Sequence, residues 1–222
     1  MKSNKKNILM ISSSGVGGGP NQISLLTNGL NQDFNIFIAC PHNNHMIIKR
    51  KNFNKNHFLF IEERKFVIRD IFKLIFFINK NSINIIHSHG KGAALIGRTL
   101  SVLLKINHIY TYHGIHLLFH NYFYRKIFPL YENLFGLIDA HKIFVSKSES
   151  ISATQKGFYL KKNYSIIFNG ISNYKFSKSK LNINQKIRSD LNIGKNTIVI
   201  ISVCRLVNQK NIFELLEISK KC

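Results

Sequence analysis

Residues 84–114 read NIIHSHGKGAALIGRTLSVLLKINHIYTYHG, from Asn84 to Gly114. Asn84 to His87 is a short apolar run and reads as a strand, ending in the turn His87-Ser88-His89-Gly90. Ala93 to Leu104 reads as a helix, and His108 to Tyr112 as a second strand that closes on His113-Gly114. A strand, a crossover helix and a strand form the unit that joins parallel neighbours.

The same alternation extends outward in both directions. Toward the N-terminus, Asn7 to Ser13 reads as a buried strand, followed by a glycine turn and a helix over Asn21 to Leu30 with Ile23, Leu26 and Leu30 on one face. Strands follow at Asn35 to Cys40 and His57 to Ile61. Phe66 to Asn79 is then helical, with Val67, Ile71, Leu74, Ile75 and Ile78 at helical spacing. Beyond Tyr112 a long aromatic helix is expected to about Ile138, then strands at Lys142 to Ser146 and Tyr164 to Phe168. Nearly continuous apolar strands fit a sheet covered on both faces. The expected fold is therefore α/β: a Rossmann-like parallel sheet flanked by helices over residues 1–172. Residues 173–195 read as a polar linker containing a short helix, and 196–222 as the start of a second, incomplete Rossmann-like domain. A strand at Thr197 to Val203 and an amphipathic helix at Ile212 to Ile218 belong to that start.

Composition narrows the function. The 222 residues are 45% hydrophobic, enough for a core, and carry 32 basic against 10 acidic side chains, a net charge of +22. The lysines are spread along the chain, as a coding bias toward Asn, Lys, Ile and Phe would spread them. No recognition helix or RNA-binding signature accompanies them, so a nucleic-acid partner is not expected. Between Asp70 and Glu132 there is no acid, and this electropositive stretch should attract anions. Three scattered cysteines form neither a disulfide framework nor a zinc site, which suits a reducing cytoplasmic setting.

Five motifs carry the chemistry. Gly15-Val-Gly17-Gly18-Gly19-Pro20 joins a strand to a helix, where glycines admit a ligand to the backbone and the helix N-terminus favours anions. It is not a dinucleotide fingerprint, because Pro20 stands where the third glycine belongs. The second strand also ends in Cys40-Pro41-His42, with no acid to hold a ribose. His87, His89 and Gly90 line the carboxyl edge of their strand, the edge at which such sheets bind ligands. His113, beside Gly114, stands at the next strand's carboxyl end, where an imidazole serves as hydrogen-bond partner, acid or base. Phe119 to Leu134 interleaves aromatics with Arg125 and Lys126, the makeup of a core helix or of one lying on a membrane surface. Arg205 and Lys210, five apart in a strand-to-helix loop, suit a diphosphate. There is no Asp-x-Asp, and Glu62 and Glu63 are read as strand neighbours facing opposite ways. A carboxylate-held metal is therefore not expected.

In order, these motifs resemble the family 4 glycosyltransferases, which have the two-domain GT-B fold. The resemblance rests on Gly17-Gly18, Ile86-His-Ser-His-Gly90 and Thr111-Tyr-His-Gly114. It continues through Phe144-Val-Ser-Lys-Ser148, Ile167-Phe-Asn-Gly-Ile171 and Val203-Cys-Arg-Leu-Val-Asn-Gln-Lys-Asn211. It implies a nucleotide-sugar donor, transfer with retention of configuration and no metal or other cofactor. By position, Gly17 and Gly18 would lie near the donor phosphates or the acceptor, His113 would contact the donor sugar, and Arg205 and Lys210 would bind the diphosphate. Asn169 and Gly170 would close the first domain near the cleft, with His87, His89 and Gly90 on the acceptor side. Two features depart from the family: Cys204 replaces a glycine, and the paired glutamates seven residues apart in the donor domain have no counterpart within residues 1–222.

The resemblance thus implies a transferase of surface polysaccharide or glycolipid assembly, such as capsule or lipopolysaccharide. It would be present as a truncated chain or as one half of a split enzyme whose C-terminal half is separate. The acceptor would be an oligosaccharide or lipid-linked saccharide at the anionic inner face of the cell membrane. The rival readings are a non-catalytic module that binds acceptor or partner, and a basic nucleic-acid binder.

Overall fold

The computed structural model describes residues 5–43, 57–115, 122–158, 163–170, 181–194, 196–204, 206–207 and 210–220. The chain divides into two compact units, Met1–Ser172 and Asn173–Cys222. The first is built on one seven-stranded sheet, ordered β3-β2-β1-β4-β5-β6-β7, in which every paired neighbour is parallel. The strands are β1 (Asn7–Ser12), β2 (Asn35–Cys40), β3 (Phe58–Phe60), β4 (Ile85–His89), β5 (Asn107–Thr111), β6 (Asp139–Phe144) and β7 (Tyr164–Ile166). The crossover helices are α1 (Gly18–Leu30), α2 (Ile68–Lys80), α3 (Lys91–Leu104), α4 (Tyr122–Phe135) and α5 (Lys147–Gln155). This is the Rossmann-like sheet that the alternating pattern implies.

Strand alternation sorts the core into two layers. Ile8, Met10, Ile36 and Ile38 pack with Ile23 of α1 on one face. Leu9, Ile11, Phe37 and Ile86 pack with Leu74 and Ile78 of α2 and with Ile96 and Leu100 of α3 on the other. Tyr110, Tyr112 and Phe144 continue that second face under α4 and α5 through Phe128 and Ala153. Leu9, Met10 and Ile11 are fully buried, because β1 lies at the centre of a sheet covered on both sides. Each such side chain contributes about 1.5–3 kcal/mol.

Several elements differ from the sequence expectation. The third strand is shorter, Phe58–Phe60, so Glu62 and Glu63 lie beyond it in a loop and not side by side on a strand. The His-Ser-His segment is the end of β4 itself, and the chain turns only at Gly90. The aromatic helix runs over Tyr122–Phe135; Phe119 is outside the described residues. α5 has no counterpart among the expected elements.

The layer under α3 holds a buried polar cluster. Arg98 is 2% exposed and donates to Asp139 at 3.0 and 2.7 Å and to Glu132 at 3.3 and 2.9 Å. Burial works against its charge, but the bonds to Asp139 and Glu132 outweigh that and hold it protonated above its ordinary range. Tyr112 donates its hydroxyl to Glu132 at 2.7 Å. His108 bridges Asp139 at 2.7 Å and the Ser88 hydroxyl at 2.9 Å. This serine–histidine–carboxylate order resembles a nucleophile relay, yet Ser88 and His108 are fully buried, so no substrate reaches them. Gly97 of α3 is their lid: a Cβ there would meet Ser88 Oγ and His108 Nε2 far inside contact distance. Alanine is ordinarily favoured over glycine within a helix by about 1 kcal/mol. Here Gly97→Ala is expected to lower stability by about 1–3 kcal/mol through overpacking, read as an earlier urea midpoint.

In the second unit, α6 (Leu181–Asp190) and α7 (Ile212–Ser219) form. The expected strand at Thr197 to Val203 does not. Residues 197–203 join no ladder among the described residues, and Ile198, Ile200, Ile201 and Val203 are exposed. An apolar run of this length becomes a strand only when a neighbour takes up its backbone groups.

Candidate active site at the carboxyl ends of β1, β4 and β5

The chain leaves β1 toward β2 on one side and reaches β5 from β4 on the other, so the strand order reverses between β1 and β4. At such a switch point the loops diverge and open a crevice at the carboxyl edge. Two helices begin there, and glycine rather than a capping side chain precedes each. Gly17 precedes α1 with φ of 122°, and Gly90 precedes α3 with φ of 84°. Both need the left-handed region that glycine reaches without strain. Neither helix has a side-chain N-cap, and space beside Gly17, Gly18 and Gly90 is open. Uncapped first-turn N–H groups suit negative charge.

The histidines fall on the α1 face of the sheet by alternation along β4 and β5. His87 Nε2 lies 2.8 Å from Thr111 Oγ1, and His89 Nδ1 lies 3.1 Å from His113 Nε2. The rings of His89 and His113 stack with centroids 5.3 Å apart, and His87 and His89 are 4.2 Å apart. Gly19 closes on this column: a Cβ there would come within 3.3 Å of the His113 ring. The glycine turn and His113 are therefore one site.

Burial keeps these rings neutral. It pushes His113 down to about 4. Burial, then the repulsion that a protonated His87 would meet from protonated His108 and His113, pushes His87 down to about 3. Burial, then His87 and His113, holds His89 well below its ordinary value. At pH 7 His113 is thus a neutral hydrogen-bonding group and not a cation. The Nε2 atom of His89 is buried with no partner among the described residues. Unmet buried polar atoms cost roughly 1–3 kcal/mol, and native sites retain them where a ligand or strained function uses them.

Two carboxylates outside the expected set position the turns. Glu63 accepts from Gly15 N at 3.0 Å and from Asn43 Nδ2 at 2.8 Å, contacts that hold its carboxyl below the ordinary range. Glu149 accepts from Gly114 N at 2.5 Å and from Val145 N at 3.0 Å, fixing the turn after His113. The signal for Glu149 was in the sequence: Ser146 and Glu149 have capping-box spacing, and Ser146 Oγ does accept from Glu149 N. Glu63 has no comparable signal.

Of the expected site residues, the structure brings His87, His89, Gly90 and His113 together with Gly17 and Gly18. Asn169 and Gly170 are exposed past the end of β7, on the same sheet edge but two strands from β5. Lys210 lies in the second unit, and Arg205 is outside the described residues. Among the described residues, no group of three or more His, Cys, Asp or Glu could hold a metal ion.

Comparisons with known proteins follow the same lines. A family model described as Glycosyltransferase Family 4 matches residues 16–173. The structure is similar to HepE of Anabaena in complex with UDP and glucose, at 17% identity and a TM-score of 0.73, over 98% of this chain and 58% of that one. A glycosyltransferase from Rickettsia africae is similar at 16% identity and 0.66, over 92% and 54%. Sucrose-phosphate synthase from Thermosynechococcus elongatus is similar at 13% and 0.64, over 96% and 59%. The chain therefore spans little more than half the length of these structures. No curated protein matches it significantly. The matched model covers the glycine turn, both histidine segments and most of the sheet, and the chain belongs to glycosyltransferase family 4.

Proposed function

We propose that the chain supplies the acceptor-side half of a retaining, nucleotide-sugar-dependent glycosyltransferase that builds surface polysaccharide or glycolipid. The observation that carries this reading is the joined site at the switch point: His113 packed against Gly19, paired with His89, beside two uncapped helix N-termini. HepE, with the same fold, binds UDP and glucose. On this reading the donor sugar lies against His113, whose neutral imidazole hydrogen-bonds a sugar hydroxyl. The N–H groups at Gly17 and Gly18 face the phosphates or the acceptor. The bond from the sugar's anomeric carbon to the diphosphate breaks, with the electron pair leaving on the diphosphate; a bond to the acceptor oxygen forms, and the proton of that hydroxyl passes to the departing diphosphate. A further donor-binding segment, in the same or a separate chain, would complete the cleft. No metal is required.

A lipid-linked saccharide at the cytoplasmic membrane face is the acceptor this reading favours. Phe123, Ile127, Leu130 and Leu134 form an exposed stripe at helical spacing on α4, accompanied by Arg125 and Lys126. Such a face suits peripheral contact with anionic lipid. No helix among the described residues is long and apolar enough to cross a membrane.

The test is transfer of radiolabelled glucose from UDP-glucose to lipid-linked saccharides in a membrane extract. His113→Ala is expected to reduce transfer at least about 100-fold, the scale of losing a positioned transition-state partner. Transfer that survives this change would contradict the role of His113. Absent transfer with retained glycan binding would favour a non-catalytic module.

A further inference from the structure

A second cavity lies on the same sheet edge, past the ends of β2 and β3, with a volume of about 390 Å³. That is within the usual size range of small-molecule sites. One wall is aromatic: Phe60 and His42 stack with centroids 4.3 Å apart at 25°. The rest is polar, with Glu62, Glu63, Arg69 and Lys73 among the lining residues.

Charge identifies the ligand class. On a chain of +22 with ten acids, three of those acids, Glu62, Glu63 and Asp70, line this one cavity against two cations. The lining thus has no excess of positive charge to select a phosphate or other anion. The ion pairs Arg69–Glu62 at 3.7 Å, Arg69–Asp70 at 3.9 Å and Lys73–Asp70 at 3.6 Å are all longer than hydrogen bonds. The Arg69 and Lys73 donors and the Glu62 carboxylate therefore retain capacity for a ligand, whereas buried Asp70 already accepts from Glu62 N at 2.8 Å. A flat aromatic surface beside mixed donors and acceptors matches a neutral polyhydroxylated ring, with an apolar face and hydroxyls around its rim.

Position adds the second half of the argument. Glu63 lines the cavity and also accepts the Gly15 N–H, so the wall is tied to the glycine turn of the histidine site. At strand spacings of about 4.8 Å, the β2–β3 end lies roughly 10 Å from the β1–β4 switch point. That span accommodates one or two sugar rings.

We infer that this cavity is a distal saccharide subsite, which holds an acceptor sugar one or two units away from the reacting hydroxyl through the Phe60–His42 stack and the Glu62–Arg69 pair. The inference rests on the transferase reading and makes the acceptor at least a disaccharide.

The test uses the full 222-residue chain. Methyl glycosides of glucose, galactose, mannose and N-acetylglucosamine, with cellobiose and lactose, are titrated while saturation-transfer NMR and the His42 imidazole signals are recorded. At least one sugar is expected to bind and to shift His42. Phe60→Ala and Arg69→Gln are each expected to weaken it at least about fivefold, the scale of losing one aromatic or charged contact. Arg69 is on the surface, so its variant keeps the test valid if Phe60→Ala fails to fold. Binding within twofold of wild type in the folded variants, binding by no sugar, or displacement by inorganic phosphate would each overturn the subsite. UDP-glucose is titrated into the same samples. A shift of His113 by UDP-glucose with no glycoside binding removes the subsite alone. Glycoside binding that depends on Phe60 and Arg69, with His113 unmoved, keeps the saccharide site and removes the transferase reading.

Discussion

Asp139→Ala is expected to destabilise the first unit by about 3–5 kcal/mol, the loss that follows when one partner of a buried ion pair is removed. Asp139 accepts two bonds from Arg98 and one from His108, all within a fully buried cluster. Its removal leaves the guanidinium with Glu132 alone and His108 with no carboxylate. Stabilities of whole domains are about 5–15 kcal/mol, so the variant should lie near the edge of folding. Glu132→Gln should cost less, because the amide oxygen still accepts one bond while Asp139 keeps the charge balanced. Urea unfolding orders the variants: wild type, then Glu132→Gln, then Asp139→Ala. An Asp139→Ala unfolding free energy within about 1 kcal/mol of wild type would show that the cluster contributes little.

The second large effect is acid lability. His87 and His113 have folded-state values of about 3 and 4, and His89 is shifted in the same direction. In the unfolded chain each would titrate near 6.5. Above that value both states are neutral and the histidines leave stability unchanged. As pH falls below it the unfolded chain takes up protons that the folded chain refuses, so stability falls until the folded values are reached. By about pH 5, His87 and His113 together remove roughly 4 kcal/mol. The urea midpoint should therefore drop steeply between neutral pH and pH 5. A midpoint unchanged over that window would mean the rings are not buried as neutral groups.

The fold was legible in the sequence for a physical reason. Strands such as β1 and β2 are buried on both faces, so they read as unbroken apolar runs. α2 covers one face and shows its 3.6-residue period. Sequence reasoning failed where a partner decides the outcome. Thr197 to Val203 has the composition of a strand but no ladder neighbour among the described residues. Glu62 and Glu63 looked like strand residues because the apolar run before them hid where β3 stops. His87, His89 and His113 were found from their positions after strands, yet their mutual pairing was not visible, since it depends on the register that sets His89 opposite Thr111. The Arg98 cluster was missed entirely. Its five charged or titratable members are spread from residue 98 to residue 139, and only packing brings them together.

The most direct test of the central claim is an NMR titration of the full chain with UDP-glucose, following the imidazole signals of its histidines. The account predicts saturable shifts of His113 and His89, which form the switch-point site, and loss of the His89 response in His113→Ala. Signals from His89 and His113 that stay unmoved at saturating UDP-glucose would contradict it.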